Sequence, residues 1–125
     1  MAFPYDEVIL TTEGYTEIGE LINKPFSVVM GDGTYNSKGT IPAGEQLVYL
    51  LCFSNRTEIM CTEDTKLWTP EGIKCFKLCC GSSFVYCAEG ITDLYKVEAL
   101  KKEKVATCKI PYCKAIYIKD ILVAI

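Results

Sequence analysis

The chain has 125 residues, half of them hydrophobic, a formal net charge of -3 and no histidine. That length fits one domain, residues 1–125, with a core of its own, and no stretch approaches the ~18 to 20 consecutive apolar residues of a membrane-spanning helix. The lysines are scattered, Arg56 is the only arginine, and the run Lys101, Lys102, Lys104 is broken by Glu103, so no basic stripe supports nucleic-acid binding.

The start, Met1 to Glu7, has neither the basic nor the long apolar region of a secretory signal, which predicts a protein made in the cytoplasm. Glu7 to Thr12 is rich in β-branched residues and reads as a strand, turned by Glu13 and Gly14. Tyr15 to Ile22 continues as a short strand passing into at most one helical turn, which Asn23, Lys24 and Pro25 stop. Phe26 to Met30 is a further strand. Residues 31–45 are the least hydrophobic part of the chain and read as a long exposed loop or hairpin tip, a candidate binding loop. Gln46 to Ser54 is the most apolar run, a central strand, with Asn55 and Arg56 as a two-residue turn into a return strand, Thr57 to Thr62.

The stretch Ile59 to Gly72 has a distinctive form: a strand ending in Cys61 and Thr62, an acidic turn, the short strand of Leu67 and Trp68, then Thr69, Pro70, Glu71 and Gly72. Ile73 to Cys80 and Ser83 to Cys87 are strand-length runs bounded by glycine. Leu94 to Ile110 reads as two strand segments about a charged turn at Lys101 to Lys104. Ile116 to Ile118 and Ile121 to Val123 close the chain, with Lys119 and Asp120 as their turn. Many short strands and little helix predict a compact all-β fold.

Eight cysteines, Cys52, Cys61, Cys75, Cys79, Cys80, Cys87, Cys108 and Cys113, lie in the later part of the chain. None is paired at C-x-x-C spacing and no histidine joins them, so no metal site is predicted, although a Cys-only zinc module remains a third alternative. Two readings of the thiols stand side by side. On strands they are small apolar core residues; alternatively some form disulfides, and all eight are candidates. Disulfides without a signal peptide suit a virion protein, made in the cytoplasm and functional outside it.

The stretch around Thr62 resembles block B of the Hint fold, the self-processing module shared by inteins and hedgehog proteins. Thr62 stands at the family's threonine and Thr65 where the family has histidine. The opening is similar to Hint block A: a strand, Glu7 to Thr11, an acidic-Gly turn, then Ile18, Gly19, Glu20 and Leu21, with Ala2 at the nucleophile position. The end is similar to the last blocks of a short intein, with Lys114 at the block F histidine, Ala124 at the penultimate histidine and Ile125 at the terminal asparagine. The resemblance implies a Hint-like fold of many short, twisted strands and a degenerate catalytic set. Alanine is no nucleophile, a threonine hydroxyl is no acid or base near neutrality, and isoleucine cannot cyclise.

Two functions follow as expectations. The first is a non-catalytic module, not an enzyme and without cofactor, that binds protein partners, as a phage virion component or by self-assembly. Its contacts would be strand edges, the loop at 31–45 and the C-terminal strand. The second is a cysteine-dependent autoprocessing or thiol enzyme of the intein type, using Cys61 beside Thr62 or the pair Cys79 and Cys80. In the absence of histidine, Lys66, Lys77 or Lys114 would activate the thiol.

Overall fold

The computed structural model describes residues 1–30, 33–79, 84–99, 104–111 and 115–124. In chain order these form β1 (Phe3–Pro4), β2 (Val8–Thr11), β3 (Gly14–Glu17), a 3-10 turn (Ile18–Leu21), β4 (Phe26–Met30), β5 (Gly33–Ser37), β6 (Ile41–Gln46), β7 (Val48–Phe53), β8 (Glu58–Thr62), β9 (Lys66–Thr69), β10 (Gly72–Cys75), the one-turn helix α1 (Phe76–Cys79), β11 (Phe84–Cys87), β12 (Gly90–Ala99), β13 (Val105–Lys109), β14 (Ala115–Ile118) and β15 (Ile121–Ala124). The fold is all-β, as expected. Among the described residues no helix is long and apolar enough to cross a membrane.

The strands form two hydrogen-bonded sheets. The smaller has the order β1-β13-β6, and the larger runs β5-β4-β2-β14-β15-β11-β12-β7-β8, with β3 added on β2 and the β9/β10 hairpin joined through β15. Alternation along the strands builds the core. In β8, Ile59 and Cys61 are fully buried while Met60 between them is half-buried, and in β15 Ile121 and Val123 are fully buried about a half-buried Leu122. Each such isoleucine or valine contributes roughly 1.5 to 3 kcal/mol relative to an exposed one. Phe3, Phe53 and Phe76 are the largest fully buried side chains, and they come from the first strand, the central hairpin and the helix. The core therefore ties the N-terminus to the middle of the chain.

The long strand β12 serves two neighbours. Residues 90–93 pair with β11 and residues from Leu94 on with β7, the latter pairing carrying a register shift between Leu94 and Lys96. A bulge of that kind bends a strand, which lets one element continue from one layer to the next.

Three expectations about local structure are corrected. Residues 33–37 of the predicted loop are a strand, β5, which pairs residue for residue with β4 from Phe26↔Ser37 to Met30↔Gly33, and residues 41–46 are β6 on β13. The low hydrophobicity that suggested a loop is that of an exposed edge strand: Gly33 to Asn36 are all exposed, so no side chain there has to be apolar. Secondly, the predicted strand from Ile73 to Cys80 stops at Cys75 and turns into α1, because the Phe76 amide donates to the Thr65 carbonyl at 3.2 Å instead of continuing a ladder. Cys80 lies outside the described residues. Thirdly, the β7/β8 turn spans Ser54 to Arg56, closed by the Phe53 amide on the Thr57 carbonyl at 3.0 Å, with Arg56 at φ 73°. The single helical turn after Tyr15, the two strands either side of residues 100–103, and the closing hairpin are found where expected.

Candidate functional site

Both ends of the chain converge on the stretch from Thr62 to Thr69. At the start, Phe3 and Pro4 are held in register with Cys108 and Thr107 of β13, which lays the two preceding residues along the end of β8. At the finish, β15 pairs with β9, with Val123 opposite Leu67 and Ala124 opposite Lys66. The turn between β8 and β9 thus sits between the two termini.

Ala2 is held there on both sides of its α-carbon, by the amide nitrogen it shares with Met1 and by the carbonyl it shares with Phe3. The Ala2 amide donates to the Thr62 hydroxyl at 2.8 Å in a buried contact, and the Thr62 amide donates back to the Ala2 carbonyl at 3.0 Å. The Thr62 hydroxyl in turn donates to Asp64 Oδ1 at 2.6 Å, and Asp64 Oδ2 takes the Met1 ammonium. Ala2 and Thr62 are both buried. Two further charges support the turn. Lys77 on α1 is ion-paired with Glu63 at 3.2 Å and stands over the Tyr49 ring, 5.4 Å from its centroid. The hydrogen bond to Glu63 raises the Lys77 pKa against a smaller opposing effect of burial, so the ammonium is kept charged.

Asp64 is subject to opposed influences. Burial pushes its carboxyl up, but hydrogen bonds from the Met1 ammonium and from Thr62 outweigh that and hold it below the usual carboxylate value. Cys61, one residue before Thr62, is pushed up to about 12, chiefly by burial, with the Thr65 hydroxyl opposing and the charges of Glu7, Asp64 and Cys75 adding to the rise. Such a thiol stays protonated at neutral pH and is a poor nucleophile. The Thr65 hydroxyl, at the position of the family's histidine, is fully buried and meets the Cys61 thiol; neither it nor the Trp68 indole nitrogen has an oxygen or nitrogen partner among the described residues.

Of the positions singled out in the sequence, the structure brings together Ala2, Thr62, Thr65 and Ala124 around this turn, while Lys114 and Ile125 lie outside the described residues, as do Cys80 and Cys113. Cys52, Cys61, Cys79, Cys87 and Cys108 are buried, and Cys75 is half-buried. Cys61 and Cys79, named above as candidate nucleophiles, are fully buried. Cys75 is the thiol of this neighbourhood with access to solvent, and its Sγ lies 3.9 Å from the Glu63 carbonyl oxygen. Sequence reasoning named Cys75 only as one of eight disulfide candidates and passed over Asp64. Asp64 was visible only as one member of an acidic turn, and nothing in that pattern says which carboxylate faces Thr62. A cavity of about 330 Å³, lined by Thr11, Thr16, Phe26 and Asn36 among others, lies away from these residues.

No family model and no curated protein matches the sequence. Solved structures do match the fold. The chain is similar to a DnaB intein from Synechocystis sp. PCC 6803 (TM-score 0.83, 18% identity, 98% of this chain and 96% of that one) and to the gp41-1 intein (TM-score 0.79, 19% identity, 99% and 98%). It is also similar to the DnaX mini intein from Spirulina platensis (TM-score 0.73, 15% identity, 99% and 98%). The expectation of a protein that is no enzyme is corrected by this finding: the structures matched along the whole chain are inteins. At these identities the likeness is one of fold, and the fold of this chain is the Hint fold of the mini-inteins.

Proposed function

We propose that this domain is an autoprocessing module of the intein type that breaks the peptide bond between Met1 and Ala2, with an internal thiol in place of the missing first-residue nucleophile. The observation that carries the reading is the fixing of Ala2 against Thr62, one bond of which is made by the nitrogen of the Met1–Ala2 peptide. Ala2 removes the side chain that would attack, but the two hydrogen bonds between Ala2 and Thr62, at 2.8 and 3.0 Å, hold the backbone in one orientation and bury it. Holding a bond in a fixed pose beside reactive groups is itself a large part of catalysis.

Cys75 is the thiol we assign to the attack. It is half-buried, adjoins the carbonyl of Glu63 between Thr62 and Asp64, and stands near the Lys77 ammonium. The Cys75 sulfur bonds to the Met1 carbonyl carbon, the bond to the Ala2 nitrogen breaks, and that nitrogen leaves as an amine with one added proton. Water then hydrolyses the thioester, releasing a carboxylic acid and restoring the thiol.

The test is a chain carrying a peptide tag ahead of Met1, incubated at neutral pH in a reducing buffer and followed by intact mass. The expected outcome is release of the tag with Met1, leaving a chain that begins at Ala2. Cys75→Ala is expected to abolish release, and added hydroxylamine to speed it by trapping the thioester. A tag that stays attached to the wild-type chain would overturn the reading.

A further inference from the structure

Where the smaller sheet meets the β7/β8 hairpin there is a second cavity, of about 290 Å³, which the reaction above does not use. The path of the chain after β1 explains why it opens there. Pro4 is held on β13 opposite Thr107, and the Glu7 amide donates to the Pro4 carbonyl at 3.0 Å, so Tyr5 and Asp6 make a turn. The outer edge of β8 is closed at two points, the Thr62 amide on the Ala2 carbonyl at 3.0 Å and the Met60 amide on the Glu7 carboxylate at 2.8 Å. Between those points the turn leaves space against the edge of the sheet.

Most of the lining is apolar: Pro4 from β1, Val48 from β7, Met60 from β8 and Ala106 from β13 among others. Val48 and Met60 share one face of the hairpin, because Val48 lies opposite Thr62 and Leu50 opposite Met60, and residues two apart point the same way. That face is the reverse of the one on which Ile59 and Cys61 are fully buried. Two polar side chains complete the lining, Tyr5 and Asp6, and Asp6 is its one charged group. Asp6 makes no hydrogen bond or ion pair with the described residues. Tyr5 is held in place from behind: its carbonyl accepts the Gly19 amide at 2.9 Å, and a Cβ on Gly19 would lie 2.9 Å from the ring's Cδ2. Its ring is still 40% exposed.

We propose that this cavity is a binding site for a small molecule with an apolar body and a cationic head, of the class of the arylalkyl and aliphatic amines. Apolar walls with a few convergent polar groups are the usual make-up of a small-molecule site, and the volume suits a body of roughly six to eight carbon atoms. The body covers Val48 and Met60 and takes their apolar surface out of water. The ammonium meets the Asp6 carboxylate and the face of the Tyr5 ring, two attractions that are each small near solvent and together favour the amine over its neutral analogue by about tenfold. An anion meets the Asp6 charge with no cation in the lining to offset it, in a chain whose net charge is already -3. Because the Tyr5 ring is fixed before the ligand arrives, little order has to be imposed on binding. The site goes beyond the autoprocessing reading and does not depend on it.

The experiment is a titration of the full chain, labelled with nitrogen-15 and followed by amide NMR at neutral pH, with three probes of matched shape: benzylamine, benzyl alcohol and benzoate. Benzylamine is expected to give saturable shifts centred on Tyr5, Asp6, Met60 and Ala106, benzyl alcohol the same shifts with about tenfold weaker affinity, and benzoate none that saturate. Asp6→Asn, at an exposed position, is expected to bring benzylamine down to the affinity of benzyl alcohol. Ala106→Trp, also at an exposed position, is expected to fill the cavity and remove binding of both. The amide spectrum of each variant without probe shows whether the fold is kept, and Asp6→Asn decides the matter alone if Ala106→Trp does not fold. Absence of saturable shifts at these residues, equal affinity for the three probes, or benzylamine binding unchanged in Asp6→Asn overturns the proposal and leaves the autoprocessing reading as it stood.

Discussion

At the scale of single residues, Cys61 shows how position on a strand decides the chemistry of a side chain. It lies at the inward-facing end of β8, fully buried, and its thiol is raised from 9.0 to about 12, first by burial. Between those values the unfolded chain loses a proton that the folded chain keeps. The folded state is therefore favoured fully below pH 9.0 and loses that contribution as pH rises towards about 12. The size of the effect is on the order of 4 kcal/mol. Urea denaturation across this range is expected to show the decline, and Cys61→Ala to flatten it while lowering stability at neutral pH through the lost packing. A second buried group, Glu7, binds three elements together: its carboxylate accepts from the Val8 amide at 3.1 Å and the Met60 amide at 2.8 Å and pairs with Lys119 at 3.3 Å. The sequence placed Glu7 at the head of a strand. Nothing in its neighbours there announces that it is buried.

At the scale of elements, the path of the chain after β5 depends on Gly39. It has φ +123°, a conformation that other residues rarely adopt, and a Cβ there would lie 2.6 Å from the Lys24 amide nitrogen and 2.9 Å from the Asn23 carbonyl carbon. Those neighbours are backbone and cannot swing aside. The close approach lets Thr40 donate its amide to the Leu21 carbonyl at 2.9 Å and its hydroxyl to the Ile18 carbonyl at 3.0 Å, which joins the 3-10 turn to the start of β6. Gly39→Ala is expected to destabilise the fold by about 3 kcal/mol, from strain plus the clash, measured as a shift in the urea midpoint. The edge strand β5 just before it escaped the sequence reading for a related reason. Its residues face solvent, so the period-2 alternation that identifies a half-buried strand is missing.

At the scale of the whole molecule, the two ends are structural parts of the middle. β1 pairs with β13, Ala2 bonds to Thr62, and β15 joins the larger sheet to β9. The last hairpin contributes Ile116, Ile118, Ile121 and Val123, all fully buried, to the core. A fragment ending at residue 111 leaves that part of the core exposed to water. It is expected to show no cooperative thermal transition by circular dichroism, and a peptide of residues 112–125 is expected to restore one when added. The same closure is what places a peptide bond at the chain's start against a turn more than sixty residues on, as no local interaction would.

What the sequence determined by itself was the local part: the alternating strands, the short turns, the helical turn before Pro25, and the ordered blocks that resemble a Hint domain. These follow from side-chain pattern and turn chemistry, which neighbouring residues carry between them. The reading of an inert scaffold judged the site by side chains at matched positions, Ala2 and Thr65 above all. Only the tertiary structure decided that Asp64 stands behind Thr62, that Cys61 is sealed in while Cys75 is open, and that the Ala2 backbone is clamped. Each of these depends on contacts between distant parts of the chain, and it is there that burial and charge set what a residue can do.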